Sequence, residues 1–151
     1  MSMFSGLIRV MERAARKAGG RLRRDFGEVE HLQVSRNGPA DFVAKAQMRS
    51  ERILYDELLN ARPDWGFVLE EAGIIQGSPD MPRWIISPLD GTNNFAHGIP
   101  HFAISIAHEE RGELVAGMVY EPLRDEVFWA VRGTGTFLNN RRLRVSARRD
   151  L

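Results

Sequence analysis

Apolar residues recur at helical spacing in two stretches near the N-terminus. The first covers residues 5–24, where arginines and one lysine surround an apolar stripe of Leu7, Val10, Met11, Ala14, Ala15 and Ala18. The second runs from about residue 44 to residue 61 and ends before Arg62-Pro63. Both stretches predict amphipathic helices, although Gly19-Gly20 should weaken the first near its end. Its basic side suits either the solvated face of a docked helix or a surface for nucleic acid or membrane.

Short apolar runs separated by turn residues follow the helices. The runs cover residues 66–69, 84–86, 102–107, 114–120 and 126–131. Arg111-Gly112 and residues 122–125 predict hairpin turns, so the last three runs should form an antiparallel meander. A strand or loop is expected at residues 31–35, before a turn at Asn37-Gly38-Pro39. The order of elements predicts an α+β fold, with two N-terminal helices packed on a mainly antiparallel sheet.

Composition narrows the class of protein. The 151 residues suit one domain spanning residues 1–151, and 43% apolar with 27% charged residues supports both a core and a polar surface. No apolar run reaches the ~18 residues of a membrane helix. The lack of cysteine excludes disulfides, thiolate metal sites and cysteine nucleophiles. The net charge of +1 argues against a dedicated polyanion binder. We therefore expect a cytoplasmic protein that does not act at a membrane.

Two acidic sequences that end apolar runs are candidates for chemistry. Asp90-Gly91-Thr92 places a carboxylate, a glycine and a hydroxyl at the end of a strand. A helix beginning at Thr92 would point free N–H groups into the same space, and such helix ends bind phosphate. Glu70-Glu71 ends an earlier run, so two strand ends could offer carboxylate oxygens to Mg2+. The alternative interpretation is that both are ordinary turns with solvated carboxylates.

Several motifs, in order along the chain, resemble those of the inositol monophosphatase family of Mg2+-dependent sugar-phosphate phosphatases. They span about residues 5–147 and are Asp41-Phe-Val-Ala-Lys-Ala-Gln-Met-Arg-Ser-Glu51, Glu70-Glu71-Ala72-Gly73, the segment from Trp84 to Phe95, Gly98-Ile-Pro-His-Phe102, Gly117-Met-Val-Tyr-Glu-Pro122 and Gly133-Thr-Gly-Thr-Phe-Leu-Asn139. The resemblance implies the N-terminal half of the fold that this family shares with fructose-1,6-bisphosphatase. It also implies a homodimer and a sugar or inositol monophosphate as substrate.

The resemblance further implies a role for each signature residue, with Mg2+ as the cofactor. The implied metal ligands are Glu70, Asp90, the backbone carbonyl of Leu89 and the position of Ser87. The implied substrate-binding residues are Asp90, Gly91 and Thr92. The implied catalytic residues are Glu70, whose metal activates water, Thr92, whose hydroxyl orients that water, and the position of Gln47, which supports Thr92.

Some of these positions depart from the family pattern. Ser87 replaces a metal-bridging carboxylate, and its neutral hydroxyl is a poor Mg2+ ligand. Gln47 replaces an aspartate, and its amide oxygen accepts a hydrogen bond but takes up no proton near neutral pH. Ala44 and Asn93 replace two threonines. The family continues into a second domain that supplies another metal-binding aspartate. We expect this domain to be absent after Leu151, which would leave an apolar face uncovered.

Three functional hypotheses follow. The first is an impaired Mg2+-dependent phosphomonoester hydrolase. The second is a non-catalytic scaffold or regulatory module that contacts RNA or an acidic partner through its basic first helix and through Arg141, Arg142, Arg144, Arg148 and Arg149. The third is an inactive, truncated N-terminal half. A histidine metal site is disfavoured, because His97 and His101 match family positions that bind no metal and His108 falls on a predicted strand.

Overall fold

The computed structural model of the protein describes residues 3–29 and 38–150, with side chains from residue 6 onward. Its helices are α1 (Met3–Gly27), α2 (Gly38–Ala61) and α3 (Thr92–Ala96). Its strands are β1 (Gly66–Leu69), β2 (Gly73–Ile75), β3 (Arg83–Asp90), β4 (Ala103–Glu110), β5 (Glu113–Glu121), β6 (Glu126–Val131), β7 (Gly135–Leu138) and β8 (Arg141–Leu143). Two long helices packed on a mainly antiparallel sheet confirm the predicted α+β fold.

Both predicted helices are present, and both are longer than the apolar spacing indicated. α1 continues through Gly19-Gly20 to Gly27. α2 begins at Gly38 rather than near residue 44, so the prediction of a turn was wrong at Gly38-Pro39. Pro39 suits the first turn of a helix, where its missing N–H needs no partner. Asn37 and the strand or loop expected at residues 31–35 lie outside the described residues.

The apolar stripe of α1 faces the sheet. Its buried members are at most 6% exposed and are Leu7, Met11, Ala14, Ala15 and Ala18. Arg9 and Arg13 are exposed on the opposite side. The basic stretch is therefore the outer face of a docked helix. Within residues 3–29 and 38–150, no helix combines the length and apolar character needed to cross a membrane.

The strands form one sheet in the order β2-β1-β3-β4-β5-β6-β7-β8. Neighbouring strands are antiparallel except β1 and β3, which run parallel. Arg111 and Gly112 connect β4 to β5 with left-handed φ values of 54° and 79°, which confirms that predicted hairpin turn. Residues 122–125 connect β5 to β6, again as predicted. Sequence analysis missed β2, β7 and β8, which have only 3, 4 and 3 residues and too few positions to show alternation.

The helices pack on one face of the sheet. In β4, the buried residues Ile104 and Ile106 alternate with the half-buried Ser105, which points the other way. Val119 and Phe128 share the face of Ser105 through the strand register and are 43% and 37% exposed. We call this side of the sheet, which none of the described helices covers, the open face.

Candidate active site

Parallel pairing of β1 and β3 brings Glu70 and Ser87 to the same end of the sheet. Val68 pairs with Ile85 in this register, so the two following positions on each strand reach Glu70 and Ser87 together. Glu70 is exposed directly after β1, and Ser87 is half-buried within β3. Both line one groove on the open face. The structure therefore brings together two positions that the resemblance marks as metal ligands.

Helix α2 reaches this end of the sheet through Gln47. The amide Nε2 of Gln47 donates a hydrogen bond of 2.7 Å to Oε2 of Glu70. Sequence reasoning missed this contact, having linked position 47 to Thr92 instead. An acidic side chain at position 47 would repel Glu70 unless a cation lay between them. The amide replaces that like-charged pair with a hydrogen bond from a neutral donor to the carboxylate, which needs no cation.

The end of β3 departs from regular pairing between Ser87 and Asp90. Pro88 lies in this irregularity, a position that tolerates a residue with no N–H to donate. Its carbonyl oxygen accepts a hydrogen bond of 2.7 Å from Oγ of Ser50, a buried residue of α2. The strand then ends with Leu89, which is 2% exposed, and with an exposed carboxylate at Asp90. Within this irregular stretch the signature changes from buried residues at Pro88 and Leu89 to an exposed one at Asp90.

Gly91 occupies a position where a side chain would be strained. Its φ of 96° lies in the left-handed region. A Cβ there would lie 3.0 Å from the carbonyl oxygen of His101 and 3.3 Å from Cα of Phe102. α3 begins directly afterwards at Thr92, so the helix start on which the phosphate-binding hypothesis depended is present. The absence of a Cβ at position 91 therefore lets this turn pack closely against the backbone of His101 and Phe102.

Aromatic packing fixes α3 against α1. Phe95 is 0% exposed, and its ring centroid lies 5.5 Å from that of Phe26 and 4.9 Å from that of Phe102. Nδ2 of Asn94 donates a hydrogen bond of 2.8 Å to the carbonyl of His101. The signature segment is therefore held on its buried side by the packing of Phe95 and on its exposed side by the hydrogen bond of Asn94.

Two of the histidines have local structural contacts. Nδ1 of His97, the residue that directly follows α3, lies 2.7 Å from the carbonyl oxygen of Asn93 within that helix. His108 is 5% exposed, and its ring stacks on Trp65 with a centroid distance of 4.7 Å. Burial lowers the pKa of His108 below its ordinary value, so its imidazole is neutral at pH 7.

The candidate metal ligands at this end of the sheet are all oxygen atoms. In the part of the chain that the structure describes, no three His, Cys, Asp or Glu side chains form a group able to hold a metal. The carboxylate of Glu70 directly follows β1, whereas the hydroxyl of Ser87, the carbonyl of Leu89 and the carboxylate of Asp90 belong to the end of β3. Mg2+ is commonly held by one or two carboxylates, with water or substrate phosphate as its other ligands. Oxygen donors of these kinds are the ones that Mg2+ accepts.

The groove on the open face has a volume of about 650 Å3. Its lining is mostly small or apolar and includes Val68, Ile85, Ala107, Gly117, Val119 and Phe128. Glu70 and Ser87 supply polar atoms to it, whereas the lining residues do not include Asp90, Gly91 or Thr92. The groove therefore adjoins only the Glu70 side of the candidate site.

Two long helices on a mainly antiparallel sheet are the architecture of solved inositol monophosphatases. The model of the inositol monophosphatase family matches residues 5–151. The chain therefore belongs to the inositol monophosphatase family, which confirms the resemblance seen in the motifs.

Known relatives agree with this assignment. The chain is 56% identical over 147 residues to inositol-1-monophosphatase of Rhizobium meliloti (strain 1021), covering 97% of this chain and 55% of that protein. It is 40% identical over 145 residues to Nus factor SuhB of Vibrio cholerae, covering 96% of this chain and 54% of the relative. The crystal structure of extragenic suppressor protein suhB from Bartonella henselae gives a TM-score of 0.85 at 55% identity, covering 95% of this chain and 55% of that one. The chain thus spans about half the length of the curated relatives it matches.

Proposed function

We propose that this chain forms part of a Mg2+-dependent phosphomonoester hydrolase for a sugar or inositol monophosphate, with an impaired hydrolytic site. The observation that carries the proposal is the parallel pairing of β1 and β3, which sets Glu70 beside the signature strand. Family membership supports the reaction class and the phosphate substrate.

The proposed roles follow from the chemistry of each group. The carboxylates of Glu70 and Asp90 and the carbonyl of Leu89 would hold Mg2+, which when bound lowers the pKa of a bound water and offsets the charge of the phosphoryl oxygens. Gly91 would form the left-handed turn that leads into α3, and the free N–H groups at the start of α3 would donate to the phosphate. The hydroxyl of Thr92 would orient the attacking water.

Two neutral side chains account for the proposed impairment. Ser87 adds no charge where the family has a carboxylate. Gln47 donates to Glu70, so this bond must break before Glu70 can turn fully to a cation. The amide of Gln47 also cannot accept the proton that an aspartate would take. Losing a single member of a catalytic unit removes most of its rate, so we expect slow turnover at best.

The test compares the chain with a Gln47→Asp, Ser87→Asp double variant. Mg2+ affinity is measured by isothermal titration calorimetry with and without inorganic phosphate, alongside phosphate release from an inositol monophosphate. We expect the double variant to bind Mg2+ about tenfold more tightly or better and to release phosphate faster. Gln76→Asp, the same change at an exposed loop position, is the matched control and should change neither value. Equal Mg2+ affinity in the chain and the double variant would refute the site assignment.

We also propose that the protein is a cytoplasmic homodimer. The absence of cysteine suits a reducing compartment. The open face exposes Val119 and Phe128 side by side. Exposed apolar patches of this kind commonly mark association surfaces.

Contact with RNA, as a non-catalytic module, is a second candidate function with its own observation. The arginines near the end of the described chain are exposed, and none takes part in the ion pairs found within residues 6–29 and 38–150; they are Arg141, Arg142, Arg144, Arg148 and Arg149. The guanidinium of Arg142 lies 5.8 Å from the ring centroid of Phe137, which stacks on Trp129. Arginine beside stacked aromatic rings suits single-stranded nucleic acid. The name of the Vibrio cholerae relative, Nus factor SuhB, supports a role associated with transcription.

Fluorescence anisotropy with a labelled single-stranded RNA tests this second function. Binding should weaken steeply between about 50 and 200 mM salt. An Arg142→Gln, Arg144→Gln variant should bind several-fold more weakly, whereas a control variant with Arg52→Gln and Arg132→Gln, which removes two ion-paired arginines, should change affinity less. Salt-insensitive or absent binding would exclude RNA as the ligand. A chain that binds neither RNA nor Mg2+ with phosphate would fit the third hypothesis, an inactive N-terminal half.

A further inference from the structure

Polar side chains are rare in the core, and two of them are neighbours on α2. The buried polar or charged residues in the described part of the chain are Asp25, Ser50, Glu51 and His108. Asp25 pairs with Arg21 and Arg49 between the two long helices. Ser50 and Glu51 instead contact strand ends that carry the candidate site.

Ser50 holds the end of β3. Its side chain is fully buried, and Oγ donates to the carbonyl of Pro88 at 2.7 Å. That carbonyl belongs to the irregular part of β3, where regular pairing with β4 is interrupted. A buried carbonyl without a partner is costly, so Ser50 stabilises the irregular path that leads to Leu89 and Asp90.

Glu51 holds the end of β1. Its carboxylate is 7% exposed, and Oε2 accepts a hydrogen bond of 3.3 Å from the backbone N–H of Glu71. Glu71 directly follows Glu70 in the turn between β1 and β2. A buried carboxylate is retained only where its charge is compensated by hydrogen bonds or charges, and here one donor is the backbone of the candidate site.

Gln47, Ser50 and Glu51 lie at positions i, i+3 and i+4 and so occupy one face of α2. We propose that Ser50 and Glu51 are positioning residues that fix both strand ends to this helix face and thereby set the spacing of the Glu70 and Asp90 carboxylates. The inference rests on the proposed function, because that spacing matters for a cation and a phosphate bound between them.

Residue-resolved hydrogen exchange tests the positioning itself, whether or not the chain is active. Replacing Glu51 by methionine removes the acceptor and should speed exchange of the Glu71 N–H about tenfold, the factor expected for losing one ordinary hydrogen bond. Glu51→Gln keeps an acceptor oxygen and should restore slow exchange. Ser50→Ala should speed exchange at Leu89 and Asp90, and Ser50→Thr, which keeps the hydroxyl, should not. Equal acceleration of the amides of β4 and β5 would show general destabilisation and overturn the inference.

Calorimetric titration of Mg2+ in the presence of inorganic phosphate tests the consequence for the site. Glu51→Met and Ser50→Ala should each weaken Mg2+ binding by about tenfold or more, as is usual when a supporting partner is lost. Asp25→Asn is the matched control, since Asp25 is also buried, at 4% exposed, and both of its ion-pair partners lie on the two long helices. It should lower the thermal midpoint but leave Mg2+ affinity unchanged.

The outcomes separate this inference from the proposed function. If Asp25→Asn weakens Mg2+ binding as much as Glu51→Met does, the inference is wrong. The same titrations are run in the Gln47→Asp, Ser87→Asp background, so that weak binding by the parent chain does not hide an effect. If neither background binds Mg2+, the proposed function fails, and the exchange rates at Glu71 and Asp90 alone decide whether the two residues hold the strand ends.

Discussion

Gly19 allows α1 to lie directly on the ring of Tyr120 in β5. A Cβ at position 19 would overlap Cε1 of that ring and would lie 3.0 Å from Cδ1 and 3.1 Å from Cβ of Pro122. The ring is 1% exposed, and its hydroxyl is held by Asp125 at 2.8 Å and Arg23 at 3.3 Å. It has little freedom to move away, so Gly19→Ala should cost about 3 kcal/mol in overpacking. Alanine recovers about 1 kcal/mol of helix propensity, which leaves a net loss of about 2 kcal/mol.

Gly20 provides the matched control on the same helix. A Cβ there would meet Nη2 of Arg23 at 3.7 Å, an ordinary contact. Gly20→Ala should therefore stabilise the chain by about 0.4–1 kcal/mol. Urea unfolding followed by tryptophan fluorescence measures both, and thermal midpoints should move by about 2–4 °C per kcal/mol. If Gly19→Ala is as stable as Gly20→Ala, then α1 does not approach Tyr120 as closely as described.

Three further predictions follow from buried, strained and exposed positions. Burial lowers the pKa of His108, so the folded state resists protonation. The free energy of unfolding should therefore be highest above the ordinary pKa of 6.5 and should fall below it by up to about 1.4 kcal/mol per pH unit. In urea unfolding, the His108→Leu variant should lose this part of the pH dependence. Gly91→Ala should lower the free energy of unfolding by about 1–3 kcal/mol through its left-handed backbone, and further through the contact with His101. Urea unfolding should show a smaller loss for Gly133→Ala, since Gly133 has a φ of 77° but no heavy atom within 4 Å of the new Cβ. Val119→Lys places a charge on the open face and should convert a dimer to a monomer in light scattering, whereas an unchanged mass would place the dimer contact elsewhere.

Elements with a clear periodic pattern could be predicted from the sequence. The apolar run at residues 126–131 coincides with β6 at both ends, because turn residues bound it on each side. The stripe of α1 identified its buried face correctly, since side chains three and four positions apart share one side of a helix. The start of α2 was missed because Gly38-Pro39 is a common turn sequence as well as a possible first turn of a helix.

The candidate site could be predicted only where it depends on local sequence. Asp90-Gly91-Thr92 is typical of a turn that leads into a helix, and the structure has both. The bond from Gln47 to Glu70 joins positions 23 residues apart, and the bond from Ser50 to Pro88 joins positions 38 residues apart. These contacts depend on how α2 lies across two strands. A local pattern of polar and apolar residues does not predict that placement.

Residues on which α1 packs are synthesised long after the helix itself. Arg16 pairs with Asp125, 109 residues further along the chain, and Gly19 packs on Tyr120. At a synthesis rate of about 5–20 residues per second, α1 waits roughly 5–20 s on the ribosome for these partners. During most of that interval α2 is the main element covering its apolar side, since the strands that α1 contacts are β4, β5 and β6, which begin only at residue 103. Each newly made chain therefore passes through a period of seconds in which a helix pair with an uncovered apolar side is open to chaperones or to aggregation.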